Sequence, residues 1–290
     1  MNLMMLMLKL KKFLRIFKKM PTKKTQDEIF YVEKKVSNTP HPIIVGCGDI
    51  FFHSSIIGKQ KSIKNSKFNI KIQTPLNNNI NGFNINKISD LIYSSKYDNV
   101  DQLIELLLNN DICSNIIEII LDFDYFLEKK APVSNKKSSL LIESSIKVQK
   151  NDENISYYLI CKIPYIASCP VSKEISDYGA HNQKGFAKIE VELCNFNNER
   201  QFWIEDLTSI VEDSCSCPVY NSIELQDKAF QTEMLYEKPL FIEEITQNIQ
   251  KLLKKHIDKS IKDYSLSLIH HEGINSFVFL SKTNLGKTLL

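Results

Sequence analysis

The order of hydrophobic patterns along the chain predicts an α+β fold: two successive, similar modules of strand pairs interrupted by helix pairs, with a boundary near residues 128–140. Three observations carry this. LIESSIKVQKNDENISYYLICKIPYI, from Leu141 to Ile166, reads as two strands around a polar turn, KNDEN, and GFAKIEVELCNF, from Gly185 to Phe196, continues as another strand with period-two alternation. FWIEDLTSIVEDSCS and PLFIEEITQNIQKLLKKHID read as amphipathic helices. DQLIELLLNN and SNIIEIIL place a second helix pair in the first half. No internal sequence repeat accompanies this order, so the duplication rests on the elements alone.

Taken in order, residues 1–24 form a basic extension, 25–130 a first module and 131–290 a second. The extension, beginning MNLMMLMLKLKKFLRIFKKM, sets apolar residues on one face of a helix and bases on another. Its apolar run is too short to span a membrane, and no small-residue cleavage site follows it. Two readings stay open: a segment that lies on a membrane surface or directs the chain to an organelle, and an upstream start codon with Met20 as the true beginning. SIKNSKFN and PLNNNINGFNIN read as long polar loops.

Composition limits the partners. Of 290 residues 43% are hydrophobic and 24% charged, which is ordinary for a globular protein. The net charge of +3 gathers at the start: residues 1–24 carry eight bases and no acid, leaving 29 bases against 34 acids in the rest. A mildly acidic body gives no reason to expect nucleic acid. Seven cysteines form no framework of pairs, and an odd count favours reduced thiols in a cytoplasmic setting.

The chemistry concentrates in SCPVSKEISDYGAHNQKG, Ser168 to Gly185. Cys169 and His181 lie twelve residues apart, which by spacing alone is a weak metal signal, and a lone Cys or His is commonly structural. Their setting strengthens it. Cys169 follows an apolar strand that Pro170 ends, and Gly179 permits a turn that folds His181 back beside the thiol.

These residues resemble the signature of the type IB GTP cyclohydrolases, whose usual form has a second cysteine where this chain has Val171. FDYFLEKKAPVS (Phe123–Ser134), VYNSIELQDKAFQTE (Val219–Glu233) and EKPLFIEEI (Glu237–Ile245) extend the likeness. The resemblance covers about residues 121–250 and is faint upstream. It implies the tunnelling fold, with two tandem modules of antiparallel sheet backed by helices assembling into barrels. It also implies a homo-oligomer, a tetramer, with active sites between subunits. The implied reaction takes GTP to 7,8-dihydroneopterin triphosphate and formate, for which a divalent metal provides a nucleophilic hydroxide at neutral pH. Membrane contact is expected only through the basic extension.

Carried over position by position, Cys169 and His181 match the family's metal ligands and Glu233 its guanine-pairing carboxylate. Lys173 and Glu174 either contact the triphosphate or form a surface ion pair. The departures are equally specific. Pro218 stands where a glutamate ligand is common, which makes Cys217 the candidate third ligand, ahead of Cys215, and zinc the expected metal over manganese. Asn84, Asn86 and Lys87 replace a motif with His, Ser and Arg. In SLIHHEGINSF, His270 fits a family histidine and His271 is displaced. Two alternatives therefore stand beside the enzyme: a degenerate member that binds a purine or pterin without turnover, and a nitrile reductase of the same fold, against which the joined motifs argue.

Overall fold

The computed structural model describes residues 43–76, 85–110, 116–151, 154–196 and 201–284. Ile44–Pro75 and Phe83–Leu290 form one compact unit. The other, Met1–Ile43 with Leu76–Gly82, lies outside the described residues except at Ile43 and Leu76. The basic extension and Asn84 fall there too.

Nine strands among the described residues join in one sheet: β1 (Ile43–Ile57), β2 (Ile63–Leu76), β3 (Glu118–Lys130), β4 (Lys137–Asn151), β5 (Asn154–Ser168), β6 (Asn182–Leu193), β7 (Cys217–Pro218), β8 (Ile261–His271) and β9 (Val278–Asn284). Their spatial order is β1-β2-β3-β4-β5-β6-β8-β9, and each pair from β2 onward is antiparallel. The short β7 pairs with Tyr165 and Ile166, beyond the point where β4 leaves β5 at Lys162.

Six α-helices among the described residues accompany the sheet: α1 (Ile85–Ser94), α2 (Val100–Asn109), α3 (Pro170–Ile175), α4 (Ile204–Ser214), α5 (Leu225–Glu237) and α6 (Ile242–Leu253). The α+β class is thus as the sequence predicts. The Asn99 side chain caps α2, accepting from the Gln102 N–H at 3.1 Å. At the start of α6 the Glu244 carboxylate accepts from the Phe241 N–H at 2.8 Å. Helices α4 and α6 pack on each other, α4 against β5 and α6 against β8 and β9. One core runs through both halves, including Ile70, Ile119, Ile142, Ile163, Leu207 and Leu268.

Two expectations fail, for a common reason. SNIIEIIL is not a helix: Glu118–Leu121 open β3, where β-branched isoleucines alternate across the sheet and pair with both β2 and β4. SIKNSKFN is not a loop but the start of β2, with Asn65 and Lys67 exposed, Lys64 and Ser66 half-buried, and Ser66 Oγ donating to the Asp124 carbonyl at 2.8 Å. Pairing with neighbours distant in sequence decided both. The order strand, strand, helix, helix, strand, strand occurs in β1–β4 and recurs, with α3, β7 and α5 added, in β5–β9. The expected boundary near residues 128–140 lies within the β3–β4 hairpin. No helix among the described residues is long and apolar enough to cross a membrane.

Candidate functional site

Period-two burial along β5, β6 and β8 builds the site. On β5 the buried face carries Leu159, Cys161, Ile163, Tyr165 and Ala167, and on β6 it carries Gln183, Ala187, Ile189 and Val191. Register places Tyr165 opposite Gly185 and Ala167 opposite Gln183, with Gly185 opposite His270 on the far side. One step beyond the last pair, Ser168 with Asn182, come Cys169 and His181 on the same face. The sequence segment that reads as a site is therefore the end of a three-strand row of side chains.

Local structure closes that end. Cys169 caps α3, its Sγ accepting from the Ser172 N–H at 3.5 Å, while Pro170 occupies the first turn. Gly179 adopts φ +114°, the turn that returns the chain. The Cys169 N–H then donates to the His181 carbonyl at 3.2 Å, and the His181 N–H to Ser172 Oγ at 3.1 Å. The backbones of Cys169 and His181 are thereby held next to each other. His181 Nδ1 is buried and has no hydrogen-bond partner. Its Nε2 meets the carboxylate of Glu272, which also accepts from Gln183 Nε2 at 2.9 Å and from the Gly273 N–H at 3.3 Å. Burial would raise the Glu272 carboxyl, but the hydrogen bonds from Gln183 and His181 outweigh it and hold it below the ordinary range.

His270 lies deeper in the row, 1% exposed, with Nε2 2.6 Å from the Tyr165 hydroxyl. Burial pushes its pKa down to about 4, against the opposing pull of Glu243 and Glu272, so the ring is neutral at physiological pH. His271 points to the other face and is exposed, its ring edge toward Phe186.

The remaining candidates sit elsewhere. Cys217 is not brought to Cys169 and His181: it faces Ile166, three residues up β5, about 10 Å along the strand at ~3.3 Å per residue. Its Sγ donates to the Pro218 carbonyl at 3.3 Å, Gln231 Nε2 approaches at 3.7 Å, and burial pushes the thiol's pKa up. Cys215 is also buried, its thiol pushed up to about 12 chiefly by that burial. Among the described residues no three His, Cys, Asp or Glu side chains gather closely enough to hold a metal ion. The third-ligand expectation for Cys217 is corrected accordingly.

Glu233 lies on α5 and is exposed in the single chain, not buried as the resemblance implies. Lys173 reaches the last turn of that helix, donating to the Tyr236 carbonyl with its ammonium 4.3 Å from the Tyr236 ring centre. It makes no ion pair with Glu174, which is exposed on α3. Asn86 and Lys87 are exposed at the start of α1.

Sequence reading missed Glu272, Gln183 and Tyr165. The signal for the first two was available: counting by two from His270 reaches Glu272, and Gln183 is a polar residue in the buried phase of an otherwise apolar strand.

A family model described as type I GTP cyclohydrolase folE2 matches residues 32–278. GTP cyclohydrolase FolE2 of Thermotoga maritima is 30% identical over 265 residues, 86% of this chain and 97% of that protein. GTP cyclohydrolase FolE2 of Geotalea uraniireducens is 33% identical over 249 residues, 83% and 89% of the two chains. Among solved structures, uricase from Arthrobacter globiformis matches with a TM-score of 0.52 at 7% identity, over 87% of this chain and 97% of that one. At that identity the likeness is one of fold alone, and the fold is the tunnelling fold.

Proposed function

Because the chain belongs to the type I GTP cyclohydrolase FolE2 family, we propose that it is a GTP cyclohydrolase. It opens the imidazole ring of GTP at C8, releases that carbon as formate and recloses the remainder as 7,8-dihydroneopterin triphosphate, the entry to folate and related pterins. The observation that carries the site assignment is the convergence of Cys169 with His181, whose Nδ1 is enclosed and unpartnered. A buried, unpartnered imidazole nitrogen on a segment whose backbone pairs with that of Cys169 fits a soft divalent ion, zinc ahead of manganese. Such an ion, if held there, would supply the means to make water nucleophilic at neutral pH.

The chain's own residues do the rest. Cys169 and His181 would hold the ion, their backbones placed by the α3 cap and the Gly179 turn. His270 stays neutral and acts on protons only through the Tyr165 hydroxyl it contacts. Glu233 accepts hydrogen bonds from the guanine N–H and amino group, and Lys173, tied to the Tyr236 carbonyl, steadies the helix that presents it. Glu233 recognises guanine at a boundary between subunits of a homo-oligomer, a tetramer. That reading is supported by Leu225, Phe230 and Tyr236 on the same helix, which are all left exposed in one chain.

The test is incubation of purified protein with GTP and either zinc or manganese, measuring formate and the fluorescence of oxidised neopterin. Formation of both supports the proposal. The lack of a third gathered ligand among the described residues favours one other reading, GTP or pterin binding without turnover. Saturable GTP binding with no formate under either metal would establish it.

A further inference from the structure

We infer that Glu272 is a positioning residue that fixes the His181 imidazole with its proton on Nε2, leaving Nδ1 as the metal-facing nitrogen; this rests on the metal reading proposed above. The two ring nitrogens have different surroundings. Nε2 faces a carboxylate that is itself held by Gln183 and the Gly273 N–H, so the acceptor is anchored from two directions. Nδ1 is buried with no partner among the described residues. A neutral imidazole has one donor and one acceptor nitrogen, and an ionised carboxylate only accepts. Nε2 is therefore the donor, and the lone pair sits on Nδ1.

The alternative, in which Glu272 and His181 Nε2 both bind the ion, accounts for one nitrogen only. It would leave Nδ1–H as a buried donor without an acceptor, whereas metal-binding histidines almost always donate their other N–H to a carboxylate, carbonyl or water. The positioning role explains both nitrogens with the same contacts. The corner that delivers Glu272 is also built for close approach: a Cβ on Gly273 would fall 2.5 Å from the Asn182 carbonyl oxygen and 3.6 Å from His181 Cδ2. A side chain there would force the Gly273 corner and the Asn182 backbone apart.

The experiment compares the full chain with Glu272→Gln and Glu272→Ala by cobalt(II) and zinc titration against a competing chelator and by the absorption spectrum of bound cobalt. Long-range proton–nitrogen correlation of ¹⁵N-histidine protein without metal, with His181 assigned by its absence in His181→Asn, reads the tautomer directly. We expect the His181 proton on Nε2 in the wild type and a mixture in Glu272→Ala. Glu272→Ala should lose about 10- to 100-fold in metal affinity while its cobalt spectrum keeps the wild-type form. Glu272→Gln, whose amide oxygen still accepts from Nε2–H, should lose less than about tenfold. Equal losses in both variants with an altered cobalt spectrum would mean direct ligation and overturn the inference, as would a proton on Nδ1. Wild-type affinity in Glu272→Ala would overturn it while leaving the metal reading intact. A wild type that binds no cobalt would overturn both.

Discussion

Acidification tests the buried row through His270. Its folded pKa of about 4 lies well below the ordinary 6.5 because burial disfavours the imidazolium. Below pH 6.5 the unfolded chain therefore takes up a proton that the folded chain refuses. More protons on the unfolded state means that stability rises with pH, so it falls on acidification from about 6.5 down to 4. The full gap corresponds to roughly 3 kcal/mol, at about 1.4 kcal/mol for each tenfold change, and between pH 7 and pH 5 the loss is about 2 kcal/mol. Urea unfolding followed by circular dichroism at pH 7, 6 and 5 measures it. His270→Gln keeps a hydrogen-bonding group near Tyr165 but cannot titrate, so its stability should fall less steeply over the same range. What matters is the difference in slope, because substitution changes stability at every pH. Parallel slopes for wild type and His270→Gln would refute the reasoning and place the ring in contact with water.

Three further outcomes are expected. Cys169→Ala and His181→Ala should each abolish formate release and reduce bound metal at least tenfold, while melting within a few degrees of wild type, since neither empties a large core volume; near-normal turnover in either would sink the site. Glu233→Gln should lower kcat/KM for GTP by about tenfold or more, corresponding to about 1.4 kcal/mol or more, because an amide offers the guanine edge a donor where it needs an acceptor; an unchanged value would remove Glu233 from recognition. Cys217→Ser should retain wild-type metal content, because its thiol is enclosed by Pro218 and Gln231 away from the pair, and loss of zinc from this variant would restore it as a ligand.

What the sequence made legible follows from how far each signal reaches along the chain. Helices α2, α4 and α6 were readable because their buried stripes are encoded within about a dozen residues, and the KNDEN turn announced the β4–β5 hairpin. The start of β3 was not, since IIEII suits a helix or a strand and its partners, β2 and β4, lie elsewhere in the sequence. Polar SIKNSKFN gave no sign that it would be strand, because its first residues face water and are held by backbone pairing. Helix α5 has few buried side chains, Asp227 and Leu235 among them, so no apolar stripe marked it.

The candidate site divides along the same line. Cys169, Pro170, Gly179 and His181 sit in one short segment, and a chemist reading that segment sees the strand end, the turn and the two donors together. Glu272 and Tyr165 join them only because β6 pairs with both β5 and β8, a fact of topology. Reading Cys217 as a ligand failed for the reverse reason: closeness in sequence to the departed glutamate at Pro218 said nothing about which stretch of β5 it would face. Burial then decides its chemistry, since a thiol enclosed away from water is held in its protonated form and a metal needs the thiolate. Cys169 is half-buried, at the end of the row.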